Sequence, residues 1–179
     1  MGWITHASRT TYENAWIRVR EDDVTGPGGR GIYGVMTVRN PAVFIVALDA
    51  DDRVCLVNID RYTIGPSIEV PAGGTDGEDP LRAAERELRE ETGYLARQWD
   101  PLGITHALDG VAEATEHVYL AREIERVGDA AGSRAEEGID TVEWVAFSEV
   151  LRRIADGRIT DSETIAAIAL AGVRLGRFR

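Results

Sequence analysis

The sequence predicts an α/β fold in which strands gather before and after one central helix instead of alternating regularly with helices. Three observations predict it. Residues 42–48 and 54–59 are continuous apolar runs of strand length, the pattern of strands buried on both faces. The stretch Pro80–Thr92 switches to a helical period, with Leu81, Ala84 and Leu88 recurring at three and four. Residues 99–107, 116–121 and 141–147 then read as further strands, and two helices close the chain.

In chain order, residues 12–24 and 31–39 are extended, with Gly26-Pro27-Gly28-Gly29 as the turn between them. Asp49-Ala50-Asp51-Asp52 is a polar hairpin connection between the two apolar strands. Asp79 can cap the central helix, Pro80 suits its first position and Gly93 its end. Of the closing helices, residues 149–156 end at Gly157. The longer one starts from Asp161, with Thr160 and Glu163 spaced as a capping box. Residues 128–138, rich in Gly, Ala and Glu, form the longest unstructured candidate, a length at which loops often act as lids.

At 179 residues the chain fits one packed domain with room for a small terminal addition. Acidic residues outnumber basic ones 31 to 20, a net charge of -11, which repels a phosphate backbone and argues against nucleic acid as a partner. An anionic small molecule would need local cations, and a divalent metal held by surplus carboxylates supplies them. The single Cys55, in the apolar run Val54-Cys55-Leu56-Val57, reads as core and offers neither a disulfide nor a zinc site. No basic segment leads into an apolar stretch and no apolar window approaches membrane-spanning length, so a cytoplasmic protein without membrane contact is expected.

On the central helix, Glu87, Glu90 and Glu91 fall within about 100° of arc, beside the face carrying Leu81, Ala84 and Leu88. Like charges at this spacing destabilise a helix unless a cation compensates. Hard divalent ions take such oxygen ligands together with substrate phosphates. A solvated acidic face paired with Arg82, Arg86 and Arg89 accounts for the helix equally well on its own terms.

The flanking residues decide between the two. Glu69-Val70-Pro71-Ala72-Gly73-Gly74-Thr75-Asp76-Gly77-Glu78 precedes the helix, and Arg86-Glu87-Leu88-Arg89-Glu90-Glu91-Thr92-Gly93-Tyr94 ends it. Together they resemble the Nudix box. The resemblance implies a Nudix α/β/α sandwich with a mixed sheet and a metal-dependent hydrolase of diphosphate bonds, using Mg²⁺ or Mn²⁺. It assigns Glu87 and Glu91 as metal ligands with the Ala72 carbonyl as a further one, and Glu90 as a catalytic helper. Glu78 and Arg86 become an ion-paired brace between loop and helix, with Gly73 turning close to the metal. Two positions depart from the pattern: the loop from Gly73 to Glu78 is one residue short, and Tyr94 fills an aliphatic slot.

Outside the box, Tyr12-Glu13-Asn14-Ala15-Trp16-Ile17, Asp60-Arg61-Tyr62 and Asp156-Gly157-Arg158-Ile159-Thr160-Asp161 resemble the ADP-ribose pyrophosphatase and nucleoside diphosphate sugar branch. That branch implies a homodimer, with residues 1–39 as an N-terminal β extension for dimerisation and residues 40–179 as the hydrolase domain. It implies hydrolysis of ADP-ribose or a related sugar nucleotide to a nucleoside monophosphate and a sugar phosphate. Arg61 is then a phosphate ligand, against the simpler reading of an ion pair with a nearby acid. Trp16 and Tyr12 are candidates to stack on the base, against core packing. The branch also supplies a late-loop glutamate as general base or extra ligand, here Glu137 or Glu136, and Glu116 as an acid assisting the metal site. Isolated histidines, His6, His106 and His117, carry less. Competing readings are hydrolysis of another nucleotide, such as a dinucleoside polyphosphate or a capped or damaged nucleotide, and a non-catalytic nucleotide-metabolite sensor. Loss of the acids would mark the sensor, and Glu87, Glu90 and Glu91 are all present.

Overall fold

The first forty residues carry too few apolar side chains to bury a sheet on both faces, and they build an antiparallel sheet that stands largely in solvent. In the computed structural model, which describes residues 2–128 and 130–178, strands β1 (Ile4–Glu13), β2 (Ile17–Gly26) and β3 (Gly29–Val38) form a meander. The turn falls where the glycines place it, with Gly26 opposite Gly29. The sequence pattern reads residues 12–24 as one extended run, but the chain turns within it, where the Asn14 side chain accepts the Trp16 and Ile17 N–H groups at 2.9 and 2.8 Å, so residues 12 and 13 end β1 and residues 17–24 belong to β2. Residues 4–11, which the pattern leaves out, make up most of β1, because backbone pairing with β2, from Ile4 opposite Thr25 to Glu13 opposite Arg18, holds a strand that is exposed along its whole length.

The apolar runs form β4 (Ala42–Ala47) and β5 (Arg53–Arg61), each central in its sheet. After them come β6 (Gly65–Glu69), β7 (Ala72–Gly74), α1 (Pro80–Thr92), β8 (Tyr94–His106), β9 (Ala112–Glu113) and β10 (Thr115–Arg126). The chain closes with α2 (Ala131–Glu137), β11 (Ile139–Ala146), α3 (Phe147–Ala155) and α4 (Ser162–Arg174). The sheets run β7-β4-β10-β8, β11-β5-β6 and β1-β2-β3-β9, and the parallel pairing of β4 with β10 makes the first of them mixed. The short β9 pairs with β3, and Arg20 of β2 grips Glu113 of β9 through two bonds of 2.8 and 2.6 Å, so the N-terminal sheet is tied to the rest.

Alternation along β4 explains the layers. Val43, Ile45 and Ala47 pack with Ala83, Ala84 and Leu88 of α1, whereas Val46 joins Leu56, Leu120, Val150, Ile168 and Ala171 under α3 and α4. A strand with helices on both sides has no polar face, hence its unbroken apolar run. Cys55 lies in the α1 layer at 0% exposure, as core. Among the described residues no helix is long and apolar enough to cross a membrane.

Three expectations need correction. Residues 49–52 make a tight turn, with the Asp49 N–H on the Arg53 carbonyl at 3.0 Å, but β4 and β5 share only the Leu48–Val54 bridge before diverging into different sheets. Each is needed at the centre of its own sheet. The expected loop 128–138 contains the helix α2, closed by left-handed Gly138 (φ 75°). Its Ala, Arg and Glu residues favour helix, but none is buried, so no apolar period announced it; Asp129 lies outside the described residues. At α4 the cap is Asp161, which accepts the Thr164 N–H at 2.7 Å, while Glu163 bonds the neighbouring Ser162 hydroxyl, so the Thr160–Glu163 capping box does not form. Asp161→Ala is expected to lower stability by about 1 kcal/mol, read from the urea midpoint, and Thr160→Ala to leave that midpoint in place; the opposite pattern would restore the capping box.

Candidate active site

Helix α1 is fixed at both ends before it presents any chemistry. Asp79 accepts the Leu81 N–H at 3.0 Å, Pro80 occupies the first turn, and Gly93 closes the helix at φ 76° with its N–H on the Arg89 carbonyl at 2.9 Å. The C-terminal cap also receives the segment leading to α2, since the Val127 N–H donates to the Gly93 carbonyl at 3.0 Å. At the far end of α2, Gly138 accepts the Asp60 N–H at 3.2 Å. Pinned at both ends, this segment carries Glu137 toward the helix.

The result is a trio. One carboxylate oxygen from each of Glu87, Glu91 and Glu137 lies within 4.8 Å of the others. Glu87 and Glu91 are 5% and 2% exposed, while Glu137 stands at the open side. Burial pushes the Glu87 carboxyl above its usual range, opposed by Arg86 at 2.7 Å. Burial raises Glu91 further, opposed by the Ala72 N–H at 3.0 Å and reinforced by Glu137 and Glu87. Two buried carboxylates and a third at their mouth form a hard oxygen donor set that fits a divalent cation, which offsets both the desolvation and the mutual repulsion. Ala72 reaches this trio through its backbone.

The short loop before the helix is closed by a tight turn. Asp76 and Gly77 both have positive φ, 51° and 81°, and the Glu78 N–H donates to the Thr75 carbonyl at 2.8 Å, as in a type I′ turn for which Asp-Gly is a favoured pair. Asn40, ahead of β4, fills the inside of the loop. Its Oδ1 accepts the Thr75 hydroxyl at 3.0 Å and the Asp76 N–H at 2.8 Å, and its Nδ2 donates to Asp76 at 2.8 Å. Arg86 ties loop to helix, reaching Glu78 at 3.1 Å, the Gly74 carbonyl at 2.8 Å and Glu90 at 3.2 Å. A missing residue thus leaves the helix register intact. Glycine at 73 makes room for the Glu87 carboxylate, because a β-carbon there would collide with that carboxylate and displace it from the trio.

Other sequence candidates lie further out. Arg61 makes a bidentate pair with Glu69, at 3.1 and 2.5 Å, and both line a cavity of about 250 Å³ with Glu116, Asp161 and Glu163. Glu116 stands apart from the trio: buried on β10, it accepts the Thr105 hydroxyl at 2.7 Å and faces this cavity and a neighbouring one lined by His106 and Asp109. Its carboxylate is outside the trio and lines the cleft. Glu136 precedes Glu137 on α2 and is not in the trio. Tyr12 and Trp16, 55% and 73% exposed, are not core residues and line neither cavity. Sequence reasoning overlooked Asn40 and Glu69. Nothing local marks Asn40, whereas Glu69, an acid at the end of a buried hairpin, carried a trace of its role.

Comparison with known proteins follows the same outline. The NUDIX domain family matches residues 38–168, and the family described as nucleoside diphosphate sugar hydrolase N-terminal domain matches residues 3–36. An ADP-ribose pyrophosphatase of Mycobacterium tuberculosis is 36% identical over 172 residues, 94% of this chain and 80% of the relative. A methanol dehydrogenase activator of Bacillus methanolicus is 35% identical over 155 residues, 85% of this chain and 83% of the relative. In fold, the chain matches the crystal structure of an ADP compounds hydrolase with a TM-score of 0.84 at 20% identity, covering 100% of this chain and 97% of the other.

Glu91 gives a signed prediction. Its raised pKa means that the metal-free folded protein keeps a proton the unfolded chain has released, so stability falls as pH rises from the ordinary carboxylate range through the elevated folded value. Glu91→Gln removes that loss and a ligand together. In thermal unfolding at pH 7.5 the variant is expected to be more stable than the wild type without metal. Its gain from Mg²⁺ should fall well below the roughly 2.7 kcal/mol expected for the wild type at a hundred times Kd. An undiminished Mg²⁺ gain would remove Glu91 from the metal site.

Proposed function

The chain belongs to the NUDIX family and is a pyrophosphohydrolase, and on that premise we propose that it hydrolyses ADP-ribose or a closely related nucleoside diphosphate sugar, with Mg²⁺ or Mn²⁺ as cofactor. The observation that carries the reading is the trio of Glu87, Glu91 and Glu137 on the same molecule as a cavity holding a pre-oriented arginine, Arg61. The match of the N-terminal sheet to a sugar nucleotide hydrolase domain and the likeness to an ADP-ribose pyrophosphatase support this substrate class.

Water adds across one P–O–P linkage, leaving a nucleoside monophosphate and a sugar phosphate. Glu87, Glu91 and the Ala72 backbone would hold the divalent cation, which when bound would supply charge neutralisation for diphosphate oxygens and a more acidic water. Glu137, the exposed member of the trio, takes the proton of the attacking water. Glu90, bonded to Arg86, helps hold the acidic face in register. Arg61 binds a phosphate through the guanidinium edge that Glu69 leaves free. Glu116 contacts the substrate in the cleft.

The protein is a cytoplasmic homodimer in this reading. The exposed β1 edge and the exposed Ile4, Trp16 and Ile32 provide the surface, and Trp16 and Tyr12 stack on the base held in the partner's site. Light scattering should then give twice the chain mass. Trp16→Ala should raise KM for ADP-ribose by about tenfold, within the range for loss of one stacked base; an unchanged KM would sink the stacking role.

The central test is phosphomonoester release from ADP-ribose with Mg²⁺. Glu91→Gln and Glu137→Gln are expected to lose on the order of a hundredfold or more in kcat, the equivalent of a few kcal/mol of transition-state stabilisation. Glu136→Gln should stay close to wild type. Full activity in Glu91→Gln would overturn the hydrolytic mechanism.

A further inference from the structure

Arg61 and Glu69 sit toward opposite ends of the β5–β6 hairpin, Arg61 opposite Gly65 and Glu69 opposite Val57. By the two-residue period of a strand, Gly65, Ser67 and Glu69 share a face. Glycine and serine put little bulk on that face of β6, and the Arg61 side chain reaches back along the hairpin to the carboxylate. The contacts are Nε to Oε1 at 3.1 Å and Nη2 to Oε2 at 2.5 Å.

This is not an ordinary surface pair, in which both groups stay in water and contribute little. The Glu69 side chain is 5% exposed and the Arg61 side chain 43%. The carboxylate is a fixed, desolvated anchor, and the guanidinium is held at the wall of an open cavity. Of the five guanidinium N–H groups, the carboxylate engages Nε and Nη2, and among the described residues no acceptor meets Nη1. The free planar edge can take two phosphate oxygens.

Among the described residues, Arg61 is the one cation lining this cavity, where Glu116, Asp161 and Glu163 are also present. A guanidinium released from Glu69 would have these acids as alternative partners, each turning it away from an anionic substrate. The anchor is tied to the acidic trio as well. Within residues 69–72, Glu69 holds Arg61, the Val70 N–H donates to the buried Thr164 hydroxyl at 3.0 Å, and the Ala72 N–H donates to Glu91 at 3.0 Å. One short segment therefore sets the spacing between the arginine and the helix acids.

We propose that Glu69 is a positioning residue for phosphate recognition, holding Arg61 with its free edge toward the diphosphate and away from the competing acids of the cavity. This rests on the reading of the protein as a diphosphate hydrolase that uses the Arg61 cavity. Steady-state kinetics on ADP-ribose with Mg²⁺ test it. Glu69→Gln is expected to raise KM by about tenfold, the scale of one arginine left to be immobilised by substrate, with kcat changed by less than about threefold. In an Arg61→Met background, Glu69→Gln should add nearly nothing, because Glu69 acts through Arg61. Glu69→Asp keeps the buried charge but shortens its reach, so it should reproduce the KM rise if Glu69→Gln does not fold. A KM for Glu69→Gln or Glu69→Asp equal to wild type, or a full additional loss in the Arg61→Met background, would overturn the positioning role while leaving the hydrolase reading intact. Wild-type protein inactive on ADP-ribose and on sugar nucleotides would instead remove the reading beneath it.

Discussion

Glu87 and Glu91 stand one helical turn apart, and the fold removes both from water at once. Carboxylates in that position repel each other and lose hydration, and each is pushed toward its protonated form. The surrounding structure works against that cost with oriented positive ends: the Arg86 guanidinium on Glu87 and the Ala72 amide on Glu91. These offset only part of it. The remainder is the part that a doubly charged cation would offset, and most of the neighbouring architecture holds the two acids in the place where one would bind.

The loop from Gly73 to Glu78 shows how closely that placement is controlled. The backbone passes so near Glu87 that any β-carbon at position 73 would push its carboxylate out of place. The loop, one residue shorter than the family pattern, returns through a two-residue turn, and Asp-Gly can adopt it because both positions tolerate positive φ. Asn40 then satisfies three polar groups inside the loop, and Arg86 bridges loop and helix. Shortening is absorbed in the turn, so the helix and its acids keep their register.

Electrostatics on the larger scale are unfavourable to the proposed substrate. A chain of net charge -11 repels an anion at long range. Binding must rest on local exceptions, and the described residues offer the acidic trio, whose geometry fits a cation, and Arg61 at the cavity wall. The pair with Glu69 costs Arg61 part of its bonding capacity but gives it a fixed orientation, which matters more in a cavity that also carries Glu116, Asp161 and Glu163. The solvent-exposed N-terminal sheet adds nothing to the trio within one chain, and its exposed aromatic residues fit the proposed role toward a partner copy.

What the sequence determined by itself was local. The span and caps of α1, the glutamates on its face and the apolar runs of β4 and β5 follow from periods of 3.6 and 2 residues and from cap chemistry, all of which act over a few neighbouring positions. Only the tertiary structure decided that β4 and β5 part into different sheets and that Asp161 caps α4. It also decided that Glu137 rather than Glu136 joins Glu87 and Glu91, that Glu116 turns to the cleft, and that Asn40 and Glu69 have structural partners at all. These contacts join residues from different strands and loops. Their geometry depends on how whole layers pack, where a one-residue shift redirects a side chain, and no short-range pattern records that.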